Sequence, residues 1–354
     1  MKKIITIIGA RPQFIKAAVL SRLIRSNNWK DKFTEVLIHT GQHYDTNMSE
    51  VFFQQMRIPT PDINLNVGSA SHGKMTGEML IQIEKVLIAE NPDILIVYGD
   101  TNSTLAGALA ASKLNIPIAH IEAGLRSYWK KMPEEQNRIL ADNLSTWLFC
   151  PTETAVSNLK KEGINEGVIC VGDIMLDASL YYQKEVNSSS YKKIRINNNS
   201  PFFLLTIHRA ENTDDAISLN NIFKGLTSDN INGIFPIHPR TKKKMEEFNI
   251  KIPNNIIMIN PIGYLEMIEL QQNCKFIVTD SGGVQKEAYF MKKPCITLRN
   301  QTEWVETVDS GWNTLVGTNI DLIKHSIMSI KCPQEYSNIY GNGNAAEQIL
   351  SALQ

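Results

Sequence analysis

Phe276-Ile277-Val278-Thr279-Asp280-Ser281-Gly282-Gly283-Val284-Gln285-Lys286-Glu287 is the stretch from which the rest of this chain can be read. The apolar run Phe276-Ile277-Val278 reads as a buried strand ending at Asp280. Two glycines then permit a tight turn, and a helix is expected from Val284 onward. Backbone N–H groups at a helix start point outward, unpaired and partly positive, so Ser281, Gly282 and Gly283 form a candidate phosphate cradle. Glu287 falls roughly a turn and a half into that helix, where a carboxylate can accept hydrogen bonds from a sugar diol. Taken alone, the same residues also fit a glycine-rich βα turn followed by a surface glutamate.

Working outward, short apolar runs alternate with longer helical patterns. Ile4–Ile8, Glu35–His39, Ile94–Val97, Ile118–Ile121 and Trp147–Cys150 read as strands. Between them Phe14–Ser26, Asn47–Gln55, Met75–Ala89, Ser103–Leu114 and Glu134–Ser145 read as helices. A second strand set follows: Val168–Val171, Phe202–Thr206, Gly233–Ile237, Ile256–Ile259, Phe276–Thr279 and Cys295–Leu298. This alternation predicts an α/β protein made of parallel βαβ units, as two Rossmann-like domains facing across a cleft. The expected domains are residues 1–168 plus 345–354 and residues 169–344. A polar stretch, Asn187–Ser200, reads as a surface excursion in the second half. Neither half carries G-x-G-x-x-G, which disfavours a nicotinamide dinucleotide site.

The length of 354 residues favours two domains over one. A formal net charge of zero gives no sign of a nucleic-acid or acidic-membrane partner. Five scattered cysteines without a C-x-x-C pair read as buried thiols of a reducing compartment, not as a disulfide framework or zinc site. The basic, apolar N-terminus is too short for a signal peptide and reads as the first strand. No run approaches membrane-spanning length, so a cytoplasmic location is expected.

Polar residues gather at the predicted strand ends, where open α/β sheets bind ligands. Arg11 follows the first strand, with Lys16 about a turn and a half later. Asp100 follows Ile94–Tyr98, Glu122 follows Ile118–Ile121, and His208 follows Phe202–Thr206. Each has a plain structural reading: Asp100 as a helix cap, Glu122 as a first-turn acid, His208 as a satisfied core histidine. Their convergence on one edge of two sheets is hard to attribute to packing. Pro133 suits a helix start. Glu134, Arg138 and Asp142 then share one helix face, either as an exposed ion-pair stripe or with Glu134 directed at the same pocket.

Seven ordered motifs now stand together: Ile8-Gly9-Ala10-Arg11-Pro12, His39-Thr40-Gly41-Gln42-His43, Gly99-Asp100-Thr101, His120-Ile121-Glu122-Ala123-Gly124-Leu125-Arg126, Pro133-Glu134-Glu135, His208-Arg209-Ala210-Glu211-Asn212 and Asp280–Glu287. Nearly end to end, the chain resembles the non-hydrolysing UDP-N-acetylglucosamine 2-epimerase family. The resemblance implies the two-domain glycosyltransferase B type fold, with a C-terminal helix at about Ala345–Leu353 returning to the first domain. It departs from the members acting on UDP-N-acetylglucosamine at Gln301-Thr302-Glu303-Trp304, where Trp304 replaces an arginine, and in a shorter loop between Arg126 and Pro133. At the Bacillus-type allosteric motifs it has Gln42-His43-Tyr44-Asp45 and His208-Arg209-Ala210-Glu211. These departures resemble the branch that epimerises UDP-2,3-diacetamido-2,3-dideoxy-glucuronate to the manno form.

The chemistry this implies is inversion at C2 by loss of UDP to a glycal and re-addition on the other face. It needs donors for the departing pyrophosphate, an acid or base on each face of C2, and a dry site. Arg11, His208, Ser281, Gly282 and Gly283 are expected to hold the pyrophosphate, and Glu287 the ribose. Asp100 and Glu134 are expected on opposite faces of C2, with Glu122 orienting or relaying; His208, Lys16 and Arg138 complete the site. For a C6 carboxylate, Arg126, Lys130 and Lys131 are candidate cations. No cofactor or metal is expected. The expected partners are a UDP-sugar and a second copy of the chain in a homodimer, in surface polysaccharide synthesis. The alternative is epimerisation of UDP-N-acetylglucosamine to UDP-N-acetylmannosamine, and a UDP-dependent glycosyltransferase and a UDP-sugar sensor are further competing readings; three carboxylates in the first domain favour the epimerase.

Overall fold

The computed structural model describes residues 1–41, 59–68, 70–188 and 200–354. The helix expected over Asn47–Gln55, the motif Gln42-His43-Tyr44-Asp45 and residues 189–199 of the polar excursion lie outside the described residues. The chain divides into two compact units, Met1–Leu180 with Asn338–Gln354, and Tyr181–Ser337.

The first unit is built on a sheet of β1 (Lys2–Ile8), β2 (Phe33–His39), β3 (Ile63–Asn64), β4 (Ile94–Tyr98), β5 (Ile118–Ile121), β6 (Trp147–Cys150) and β7 (Val168–Cys170). Among the described residues their order is β3-β2-β1-β4-β5-β6-β7, with every pair parallel. Helices α1 (Arg11–Ile24), α2 (His72–Glu90), α3 (Asn102–Lys113), α4 (Pro133–Leu144) and α5 (Glu153–Lys161) belong to the crossovers, and α6 (Ile174–Val186) follows the last strand. Strands buried on both faces must be apolar throughout, and β4 is buried at all five positions. One side of this sheet forms a core of Ile5, Ile7, Leu95 and Val97 with Met79, Ile83 and Leu87 of α2. Each such side chain contributes about 1.5–3 kcal/mol when fully buried.

The second unit repeats the scheme. Its strands are β8 (Phe202–Thr206), β9 (Asn232–Pro236), β10 (Ile256–Ile259), β11 (Phe276–Thr279), β12 (Cys295–Thr297) and β13 (Asn313–Leu315), in the order β10-β9-β8-β11-β12-β13 and again all parallel. Helices α7 (Ala210–Thr213), α8 (Ala216–Leu226), α9 (Pro239–Glu247), α10 (Tyr264–Asn273), α11 (Gly282–Phe290), α12 (Val305–Asp309) and α13 (Ile320–Ser329) connect them. Phe203 and Phe276 stack at 5.4 Å between ring centroids across β8 and β11. In both sheets the strand order reverses at one place, between β1 and β4 and between β8 and β11. That is where doubly wound sheets hold ligands.

Several sequence expectations shift. The short strands β3 and β13 were too brief to read. Helix α1 begins at Arg11 and α11 at Gly282, each earlier than the apolar pattern suggests. The first unit extends to Leu180 rather than to residue 168, because Val168–Cys170 pairs with β6 as the last strand of its sheet. The chain re-enters that unit at Asn338 rather than at 345. The cysteines are not uniformly buried: Cys170 and Cys332 are exposed. No helix among the described residues is long and apolar enough to cross a membrane.

The C-terminal helix α14 (Ala345–Ala352) packs against α1, and Lys2 Nζ donates to the Leu353 and Gln354 carbonyls at 2.9 and 2.8 Å. Its start is capped by Asp177 of α6, which accepts from Ala345 N (3.2 Å) and Ala346 N (2.9 Å). Burial pushes the Asp177 carboxyl up to about 6, although these N–H groups favour its charge. A carboxyl raised in the folded state favours the fold below its ordinary value. That advantage is lost as pH rises toward 6. Asp177→Asn removes this titration, so the difference in Tm between variant and wild type should move in favour of the variant from pH 4 to pH 7. The expected span is about 2–3 kcal/mol. Thermal unfolding of both proteins across that range checks it, and parallel curves would show that the carboxyl does not titrate as described.

Candidate active site

In the first unit the site grows from the two loops that diverge at the strand-order reversal. After β1, Gly9 and Ala10 lead into α1; after β4, Gly99 and Asp100 lead into α3. Gln13 stitches the loops together. Its Oε1 accepts from Gly9 N (2.8 Å) and Ala10 N (3.0 Å), while its Nε2 donates to Tyr98 O (2.7 Å). The cap of α3 is Thr101, whose hydroxyl accepts from Thr104 N. Asp100 is therefore released from the capping role its position allows.

Asp100 forms an ion pair with Arg138 of α4, and Arg138 also reaches Glu135 at 3.2 Å. The Asp100 side chain keeps 31% of its surface open, yet protein encloses its carboxyl closely enough to push it above the usual carboxylate range. Arg138 and Lys16 oppose that rise, and Glu122 adds to it. Glu122 pairs with Lys16 of α1, both side chains nearly buried. Its backbone is left-handed, φ +73°, a strained state for a glutamate that the surrounding structure must enforce. Gly99 is left-handed too, φ +61°, and a Cβ there would come within 3.1 Å of the Glu122 carboxylate. Four of the expected residues, Lys16, Asp100, Glu122 and Arg138, thus form two ion pairs at one sheet edge.

Glu134 and its helix neighbours divide differently from the expected face. Glu134 is half-buried, and no hydrogen bond or ion pair is recorded for it among the described residues. Glu135, which the spacing passed over, is buried instead. It accepts from Ser127 N (2.9 Å), Ser127 Oγ (3.0 Å) and Tyr128 N (2.8 Å), and so shapes the loop before α4. Asp142 faces away to His120 and Arg126. Arg126 is not available for a substrate carboxylate: it donates to Glu162 twice at 2.7 Å and to Asp142 at 2.7 Å. Lys130 and Lys131 remain exposed. Arg11 opens α1, and its side chain lies outside the described residues.

In the second unit Asp280 plays the part of Gln13. Fully buried at the end of β11, it accepts from His208 N (3.1 Å), Arg209 N (3.0 Å) and Asn212 Nδ2 (3.2 Å) across the reversal. His208 is not a core histidine; its side chain is 43% exposed, with Nδ1 3.4 Å from Asp280. Desolvation holds its imidazole below the usual value, against the pull of Asp280. Ser281 opens α11 without a side-chain cap, and the space beside Gly283 is open to 4.0 Å. Glu287 is nearly buried and accepts from Gln271 Nε2 at 2.6 Å. Trp304 is buried, with Lys286 Nζ 3.9 Å from its ring centroid, so one indole face is already taken. Beside it, burial pushes Glu303 up, but Arg299 at 3.1 Å helps hold it below its ordinary value.

The model of the family described as UDP-N-acetylglucosamine 2-epimerase matches residues 25–354. The chain belongs to that family. It is 54% identical to a UDP-N-acetylglucosamine 2-epimerase homolog of Methanococcus maripaludis, over 99% of both chains. It is 50% identical to the UDP-2,3-diacetamido-2,3-dideoxy-D-glucuronate 2-epimerase of Pseudomonas aeruginosa, again over 99% of both. Among solved structures, the Methanocaldococcus jannaschii UDP-GlcNAc 2-epimerase in complex with UDP-GlcNAc and UDP superposes with a TM-score of 0.89 at 45% identity, covering 99% of each chain.

Gly282 has a steric reason to be glycine. Its φ is not left-handed, so the backbone angles alone would tolerate a side chain. A Cβ there would run into the Glu303 carboxylate and approach the Trp304 Nε1 to 3.4 Å. Gly282→Val should therefore distort the start of α11. UDP affinity measured by calorimetry should fall about 10- to 100-fold, the worth of one or two charge-assisted hydrogen bonds. Unchanged UDP binding would make the turn purely structural.

Proposed function

We propose that the chain inverts C2 of UDP-2,3-diacetamido-2,3-dideoxy-glucuronate to give the manno epimer, supplying surface polysaccharide synthesis. It is a non-hydrolysing UDP-sugar 2-epimerase. Support for the reaction comes from the two ion-paired carboxylates, Asp100 and Glu122, with Glu134 nearby in sequence, at the reversal point of the first sheet. Support for the substrate comes from the 50% identity to the Pseudomonas aeruginosa enzyme together with Trp304 at the expected arginine position.

The C2–H bond of a UDP-acetamido sugar is not acidic. Departure of UDP from C1 builds oxocarbenium character, which acidifies it. Arg11, His208 and the amides of Ser281, Gly282 and Gly283 receive the charge developing on the pyrophosphate. Asp280 next to Nδ1 of His208 favours the tautomer with that proton on Nδ1. Nε2 is then the nitrogen that can take a proton as the phosphate arrives. Glu287 holds the ribose. Asp100 removes or returns the C2 proton on one face and Glu134 on the other, while Glu122, fixed by Lys16, stabilises the cation between them. Protonation of the glycal from the opposite face and re-addition of UDP complete the inversion. The metal-free neutralisation of the leaving group and the homodimeric state belong to this reading.

Incubation in heavy water tests the reaction. The epimerised product should carry deuterium at C2, and Asp100→Asn or Glu134→Gln should lower turnover by about 10²-fold. Full activity in either variant would remove that residue from the chemistry. Binding without deuterium entry would favour a sensor.

A side-by-side comparison of kcat/KM tests the substrate. UDP-2,3-diacetamido-glucuronate should turn over faster than UDP-N-acetylglucosamine, with Lys130 and Lys131 facing the C6 carboxylate now that Arg126 is committed elsewhere. The alternative substrate is favoured by the Methanocaldococcus jannaschii structure, which holds UDP-GlcNAc. Equal or better efficiency with UDP-N-acetylglucosamine would establish it and leave the epimerase assignment intact.

A further inference from the structure

We propose that His120 is a positioning residue, a buried imidazole carrying both ring protons that fixes the Gly99–Asp100 turn and so aims Asp100. This rests on the role given to Asp100 above. His120 lies on β5 with no exposed surface. Its Nδ1 stands 2.7 Å from Asp142 Oδ1, and its Nε2 stands 2.8 Å from the Gly99 carbonyl. A carbonyl oxygen can only accept, so Nε2 must carry a hydrogen. Asp142 also receives Gly124 N at 3.2 Å and Arg126 Nη1 at 2.7 Å, the donor set of an ionised carboxylate. It too can only accept, so Nδ1 must carry a hydrogen as well.

The charges close on themselves. Arg126 is held by Glu162 and Asp142, and His120 completes a group of two cations and two anions with no net charge. Glu162 lies at the surface, and among the buried members Asp142 is the counter-ion shared by His120 and Arg126, so removing it leaves uncompensated charge. Cys150 on the adjacent strand β6 stays a neutral thiol, because burial pushes it far up.

What this group grips is the turn that carries Asp100. Gly99 N donates to Ile121 O at 2.9 Å and Gly99 O receives His120, so β5 holds the left-handed residue at both ends. Asn137 Nδ2 then donates to the Asp100 carbonyl at 2.9 Å. Through Asp142 and Gly124 the same group also fixes the turn that follows Glu122. A neutral His120 would lose one of its two bonds, and the Gly99 carbonyl would be free to rotate.

The test uses the full chain labelled with ¹⁵N-histidine. Two slowly exchanging ring N–H protons should appear for one histidine at mildly alkaline pH and vanish in His120→Gln. In the same variant kcat should fall about 10²-fold, the scale of a small misplacement of a reacting group. UDP affinity should stay unchanged, because the residues proposed to hold UDP are in the second unit except Arg11, which opens α1 and is not part of the Gly99–Asp100 turn. A single His120 ring proton in the wild type overturns the proposal even if the variant fails to fold. So does a folded variant with wild-type kcat. The ring-proton signature does not depend on activity, so an Asp100→Asn enzyme with full turnover would refute the functional reading separately.

Discussion

A parallel sheet whose strand order reverses must open a gap at the reversal. The loops after the two central strands turn to opposite faces, and no strand ladder binds them to each other. Everything placed at that edge depends on how the gap is bridged. This chain bridges it twice with one buried side chain. Gln13 spans from Gly9 and Ala10 to Tyr98 in the first unit. Asp280 spans from β11 to His208 and Arg209 in the second. The two residues differ for a chemical reason. Gln13 faces two N–H groups and a carbonyl, so it needs both a donor and an acceptor. Asp280 faces donors alone, so it can be a carboxylate. A buried carboxylate with three amide donors is well compensated, and it adds negative charge behind His208 as well.

Much of this was legible in the sequence. Largely apolar runs such as Ile118–Ile121 and Phe276–Thr279 show parallel strands to the residue, because both faces are buried and period-two alternation has no reason to appear. Asp100, Glu122 and His208 stood out because a polar group ending such a run has little packing purpose. What the sequence hid were pairings between distant segments. The face spacing of Glu134, Arg138 and Asp142 is real, yet the three separate: Arg138 goes to Asp100, Asp142 to His120, and Glu134 is left half-buried. Helical spacing says which residues share a side of α4, not which loops come to meet them. Glu135 was missed for the same reason, since its partners are backbone amides of Ser127 and Tyr128 that no pattern advertises. The helix α11 begins earlier than the apolar pattern suggests because glycines carry weak helical preference, whereas at Gly282 Glu303 and Trp304 leave no room for a side chain.

The ionisable groups of the first unit fall into two classes, and the difference bears on how a proton can be handled. His120, Asp142, Arg126 and Glu162 are bonded in a chain, and the first three also bond to backbone, so their positions are fixed by geometry. Lys16, Glu122, Arg138 and Asp100 are balanced in pairs, and of the four Asp100 has the open side. Asp100 retains solvent access, and enclosure already favours its protonated form. Arg138 stabilises the charged form of this carboxyl and enclosure the neutral one.

Glu134 completes the contrast. Acid–base chemistry on two faces of one carbon needs two groups whose environments differ, since a matched pair would compete for the same protonation state. Asp100 has a cation in contact, an enclosing wall, and a carbonyl that accepts from Asn137. Glu134 sits at the first turn of α4. Asp100 is held in place by Arg138 and, through its carbonyl, by Asn137, whereas Glu134 makes no hydrogen bond or ion pair among the described residues. A rigid group on one face and an adjustable group on the other would let one site accept both epimers, whose C2 hydrogens point in opposite directions.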